Sequence, residues 1–262
     1  MGDFWELLLA DFDVKLLVFA RIIGAFAFAP LLSRNNFPAM ARVGVSIFLT
    51  YIVTMTMGLT EVDTGGTMGT YVFAVLRECF IGFVIGFVMD MFILAVQTAG
   101  DIMDSQAGVG MAKVFDPSTR VQMSIFGTFI TFMMYMYFFV TNSHLTLVGI
   151  FITSFDIIPV GQGTLNPDIG WTVVSFFNQI LIMILKLAMP VIAAEMLLHF
   201  SMGILMKSVP QIQIMIVNIQ LMCMLGFLLL YLIAVPMAEF IDGYIADMLD
   251  SVRNIIPQIF TV

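Results

Sequence analysis

Long apolar runs separated by short polar interruptions dominate the chain, and they read as helices of spanning length. The runs are Val14 to Leu32, Val43 to Leu59, Tyr71 to Val96, Val121 to Val140, Trp171 to Phe200 and Ile212 to Val235. Each is near the ~17 to 25 residues that a helix needs to cross a hydrocarbon core. A shorter apolar piece ending near Phe155 follows Asn142 and His144, and the segment from Ile157 to Gly170 is a Pro/Gly loop. Pro236 is expected to open a last amphipathic helix, with Ile241, Tyr244, Ile245 and Met248 on one face and Glu239, Asp242 and Asp250 on the other. The pattern predicts an all-α, polytopic protein of about six long helices, kinked where proline interrupts them.

One interruption differs from the others. From Gln97 to Arg120 the chain is short-chained, polar and glycine-rich, although apolar runs flank it. Gln97, Asp101, Asp104 and Gly108 recur at helical spacing and make one polar-to-small stripe. The pattern then loosens through Ala107-Gly108-Val109-Gly110, and Asp116-Pro117 starts a new element. A helix that runs into such a loop at membrane depth must line a cavity or be buried in protein.

Composition sharpens the class. The chain is 61% hydrophobic and only 11% charged, with mean hydropathy +1.05, against about 25% charged residues in soluble domains. A net charge of -8 leaves no basic face for nucleic acid. Cys79 and Cys223 both lie in apolar runs and read as small hydrophobes, with no disulfide expected. The acidic N-terminus, without a basic region or small-residue cleavage site, reads as leading into a retained first span. Arg34, Arg42, Lys113, Arg120 and Lys207 fall in alternate connections, which places those connections on the cytoplasmic side and the N-terminus outside.

Several groups at membrane depth have both a structural and a functional reading. Gly82 with Gly86, and Ala95 with Ala99, suit close helix packing. Arg77 and Glu78 are adjacent and cannot face each other on a helix, so each needs a partner elsewhere or reaches toward the interface. Lys186 precedes Pro190 by one turn and is either a structural ion-pair member or a functional cation. Glu195 and His199 are one turn apart and form either a local hydrogen bond or a proton-relay pair. The 23 methionines show no ligand spacing and read as adaptable packers. No Walker A lysine, HExxH, CxxC or GxSxG is present, so no enzyme chemistry, metal or cofactor is expected.

The order of residues also resembles a known family. Arg21 with Pro30, Pro38 and Arg42 comes first, then Glu78, Gly82 and Gly86. The block from Gln97 to Gln106 with Gly108 follows, then Asp116-Pro117, His144, Ser154-Phe155, Pro159, Pro190, Gly203 and Val209-Pro210-Gln211. Over essentially the whole chain this is similar to the FliR family of flagellar export-gate components and its virulence type III relatives. One departure is Thr141-Asn142-Ser143, where the family pattern has glycines.

The resemblance implies a non-enzymatic subunit of a helical export gate, built with FliP and FliQ subunits, FlhB and FlhA. The gate passes unfolded flagellar proteins through the bacterial inner membrane at the flagellar basal body, raised toward the periplasm. It implies a FliP-like part over 1–165 and a FliQ-like helical hairpin over 166–262, turning near Lys207 to Gln213. It also implies a pore plug at Gln106, Gly108, Val109, Gly110, Met111, Val114, Phe115 and Asp116. Together with the groups at membrane depth, this makes Arg21, Arg77, Glu78, Asp101, Asp104, Lys186, Pro190, Glu195, Pro210 and Gln211 the candidate structural and assembly residues. Two other readings compete: a self-contained secondary transporter using Lys186, Asp90 or Glu195, for which no internal repeat is visible, and a membrane anchor without a pore.

Overall fold

The computed structural model describes residues 12–28, 38–58, 68–109, 124–208 and 214–261. Among these the protein is all-α and polytopic, with seven helices. They are α1 (Phe12–Phe28), α2 (Ala39–Met57), α3 (Met68–Gln106), α4 (Ile125–Val140), α5 (Ser143–Ile157), α6 (Ile169–Ser208) and α7 (Ile214–Ile259). Two short strands, β1 (Thr164–Leu165) and β2 (Phe260–Thr261), pair antiparallel.

Among the described residues, four helices are long and apolar enough to cross a membrane, or five if the bent pair α4 and α5 counts as one span. Within the described residues, the first apolar run forms the 17-residue α1. Pro236 does not open a new helix, because α7 runs through it for 46 residues. An apolar setting allows this, because in such surroundings neighbouring groups and local adjustment can satisfy the one carbonyl that a proline frees. The expected register does hold beyond it, with Ile241, Tyr244, Ile245 and Met248 buried and Glu239, Asp242 and Asp250 exposed.

The chain forms two compact units. The first comprises 1–91, 142–174 and 246–262. At its centre Arg21 and Glu78 are both fully buried and ion-paired at 2.6 Å. The guanidinium also donates to the carbonyls of Ser154 (2.8 Å) and Ile158 (2.9 Å), and lies 4.0 Å from the centre of the Phe155 ring. The second carboxylate oxygen of Glu78 accepts from the Gly161 N–H at 2.9 Å. Arg77, next in sequence, donates instead to the Gly163 carbonyl at 3.2 Å.

Close backbone approach sets the α1–α3 crossing. A Cβ on Gly82 would lie 1.9 Å from the Arg21 carbonyl oxygen, and one on Gly24 would lie 2.5 Å from that of Cys79. Helix α2, which packs on α1, is inside out. Ser46, Thr50 and Thr54 form its buried stripe, each hydroxyl donating to the carbonyl four residues back, while Ile47, Phe48, Tyr51 and Met55 are exposed. An exposed apolar face of this kind fits apolar surroundings, lipid or protein. The chain end is fastened by the β1–β2 pair, by the Asn166 N–H donating to the Ile259 carbonyl at 2.8 Å, and by Phe260 packing edge-on against Phe80.

Two predictions follow from this unit. Arg21→Leu or Glu78→Leu alone should cost about 3–5 kcal/mol by stranding a buried charge, read as a drop in melting temperature of the purified chain. The double variant should recover much of that loss, and additive losses would show that the two residues do not act as a pair. Gly82→Ala should destabilise, because its Cβ meets backbone. Gly149→Ala and Gly203→Ala, with nothing within 4 Å, should instead be neutral or stabilise by up to about 1 kcal/mol through helix propensity.

Candidate functional site: the root of the glycine loop

The second unit comprises 92–141 and 175–245 and contains both described ends of the glycine-rich interruption. Helix α3 ends at Gln106, and the turn 107–109 follows. Gly108 has φ +71°, in the left-handed region that glycine enters without steric cost. It turns the chain out of a helix that had run for 39 residues.

Asp104 holds the two sides of the interruption together. Its side chain is buried, and its two carboxylate oxygens accept from the N–H groups of Ile125 (2.7 Å) and Phe126 (3.0 Å). These are the first donors of α4, which lack partners within the helix. Ser124 Oγ accepts the third, from Gly127 at 2.9 Å. A negative side chain at a helix N-terminus also meets the positive end of the helix dipole. Residues 104 and 125 are thereby fixed against each other.

The root is packed as closely as it is hydrogen-bonded. A Cβ on Gly100 would lie 2.1 Å from the Gly127 Cα, so α3 and α4 touch backbone to backbone. Ala107 is fully buried, and a Cβ on Gly226 would come within 2.6 Å of its methyl carbon. The Phe126 and Phe227 rings stack at 6.2 Å, and the Tyr244 hydroxyl donates to the Phe92 carbonyl at 2.7 Å.

The expected site residues separate accordingly. Arg21 and Glu78 meet, 57 positions apart in sequence. Asp104 is buried at the root, whereas Asp101, on the same stripe, is exposed. Gln106 and Val109 are half-buried and Gly108 is buried. Gly110, Met111, Val114, Phe115 and Asp116 lie outside the described residues, as do Pro210 and Gln211. Lys186 and Pro190 are exposed on α6, while Glu195 is buried. Glu195 makes no hydrogen bond to His199: both its oxygens lack a partner and His199 is exposed. The sequence reading passed over Ser124, Gly127 and Gly226. Ser124 carried a usable signal, a serine directly before an apolar helical run, which is an N-cap pattern. The two glycines carried none.

Asn142, the N-cap of α5, adopts φ 58°, ψ 22°. Asparagine enters this left-handed region more readily than other non-glycine residues.

Comparison with known proteins agrees with the resemblance. The family model described as "Bacterial export proteins, family 1" matches residues 12–248. The Bacillus subtilis flagellar biosynthetic protein FliR is 29% identical over 251 residues, covering 94% of this chain and 95% of the relative. The Escherichia coli FliR is 23% identical over 239 residues, 91% of each. That of Aquifex aeolicus is 25% identical over 220 residues, 83% of each. With nearly its whole length matched, the chain belongs to the bacterial export proteins, family 1, the family of the flagellar biosynthetic protein FliR.

Proposed function

We propose that this chain is a subunit of the flagellar protein export gate, and that the segment after α3 is the movable closure of its conduit. The family and the names of the relatives support a role in flagellar export. The apolar helices support a place in the bacterial inner membrane, at the flagellar basal body. The observation that carries the closure reading is the Asp104 clamp. It joins the end of α3 to the start of α4, so the loop between them can move as a flap while that junction holds.

The sequence of that loop suits a seal. Val109, Met111, Val114 and Phe115 are apolar, and Gly108 and Gly110 supply backbone freedom. An apolar constriction excludes water and ions without chemistry, so no enzymatic step is assigned. FliP and FliQ subunits, FlhB and FlhA are the proposed neighbours, and unfolded flagellar proteins are the proposed cargo. In this reading 1–165 is the FliP-like part and 166–262 the FliQ-like hairpin. The exposed apolar side chains of α6, among them Trp171, Leu181, Leu185 and Phe200, form surface for partner helices.

Two measurements test the proposal. Co-expressed with FliP and FliQ subunits, the detergent-extracted chain should run as one copy with several copies of each of the two partners. A lone monomer would sink the gate reading. Deletion within Ala107 to Ala112 should raise ion leak across the cell membrane. Asp104→Ala should do so as well, because it strands two buried N–H groups at a cost of about 1–3 kcal/mol each. Tight membranes in both variants would rule the loop out as the seal.

A further inference from the structure

In the unit containing the loop root, one buried ionisable side chain is used by nothing described so far. Glu195 on α6 has no exposed surface, and neither carboxylate oxygen has a hydrogen-bond partner. Among the described residues the other two fully buried carboxylates are both committed, Glu78 to Arg21 and the Gly161 N–H, and Asp104 to the start of α4. An ionised carboxylate without a partner in apolar surroundings is so costly that such a group takes up a proton instead.

Among the described residues, the helices that meet α6 offer Glu195 no ion-pair partner. On α3, Asp104 is spent on α4 and Asp101 is exposed. Helix α4 carries no charged residue. On α7, Glu239 and Asp242 are exposed, as are Lys186 and His199 on α6 itself.

Its position ties it to the root. Val191, one turn before Glu195, lines a pocket of about 20 Å³ with Met103, Phe126, Ile130 and Leu230, so α3, α4, α6 and α7 converge there. The pocket has room for about one water, but its lining is apolar and offers that water no polar partner. Met103 precedes Asp104 in sequence, and Phe126 bears one of the two N–H groups that Asp104 holds. Pro190 interrupts the α6 ladder beside the same pocket.

We propose that Glu195 is a proton-binding site of the loop-root unit, protonated while α6 is closed on α3, α4 and α7 and releasing its proton to water when α6 parts from them, the Asp104 junction of α3 with α4 staying intact. Closure and proton uptake are then linked: lower pH favours the closed packing, and higher pH favours its opening. The proton site stands on this geometry alone, while its bearing on the loop rests on the closure reading above.

The test uses the full chain, purified with the subunits that accompany it, in lipid nanodiscs in D2O. The infrared difference spectrum of wild type minus Glu195→Gln should show a protonated carboxyl C=O band at neutral pH. A difference made only of ionised carboxylate bands would overturn the proposal. Glu195→Gln mimics the neutral acid and should fold as wild type does, and Glu195→Leu should remove the band as well. For the coupling, Val109→Cys in a chain without Cys79 and Cys223 is labelled with a water-soluble maleimide across pH. Corrected for thiol ionisation, the rate should rise by up to about tenfold per pH unit with Glu195 present and stay flat with Gln. Equal pH dependence in both would refute release on opening. A loop deletion that leaves membranes tight would remove the closure reading but not the infrared result.

Discussion

In so apolar a chain, every broken helix end leaves backbone polar groups that only the protein itself can satisfy, and two buried charges meet that need. Arg21 reaches across the first unit to take the Ser154 and Ile158 carbonyls where α5 ends. Asp104 reaches across the second to take the Ile125 and Phe126 N–H groups where α4 begins. Each sign is the one that the helix dipole favours, a cation at a C-terminus and an anion at an N-terminus. Arg21 needs a counter-charge because it carries a full charge in a fully buried place, and Glu78 supplies it while also binding the Gly161 N–H. Remove either charge and a helix end loses its partner along with the ion.

Glycines decide where those charges can act. The Arg21–Glu78 contact requires α1 and α3 to cross closely, and Gly24 and Gly82 provide that by bringing backbone onto backbone. Gly100 and Gly127 do the same for α3 and α4 beside Asp104. Hydrophobic burial drives these contacts less than it would in water, because the outside is equally apolar. Tight packing and hydrogen bonds carry more of the specificity. The inside-out face of α2 belongs to the same arrangement, with hydroxyls inward and large apolar side chains outward.

Periodicity in the sequence revealed helices, their faces and their interruptions, because each is a local property. The buried stripe of α7 was legible residue by residue, and the stop after Asp104 was legible from two glycines. Partnerships were not. Arg77 and Glu78 showed that neither could bind the other, but nothing local pointed from Glu78 to Arg21, 57 residues away. Asp104 lay on a visible polar stripe beside Asp101, and the stripe could not say which would be buried. Pro236 misled because a local rule, that proline ends helices, gave way to a surrounding in which an uninterrupted helix is the cheapest way to satisfy a backbone.

Glu195 marks the limit of that logic. Buried charges that are fully satisfied make a structure rigid, since every alternative arrangement leaves some group unpaired. Arg21, Glu78 and Asp104 are of this kind, and the elements that they join can be treated as frame. A carboxyl with no partner confers no such rigidity. Its neutral form tolerates the closed core, while its ionised form is stable only when water reaches it. The two protonation states therefore favour different packings of the same helices, which is the physical requirement for an element with two arrangements. That it lies one turn from the pocket lined by Met103 and Phe126, and not among the satisfied charges of the first unit, places the capacity for change beside the root of the glycine-rich segment.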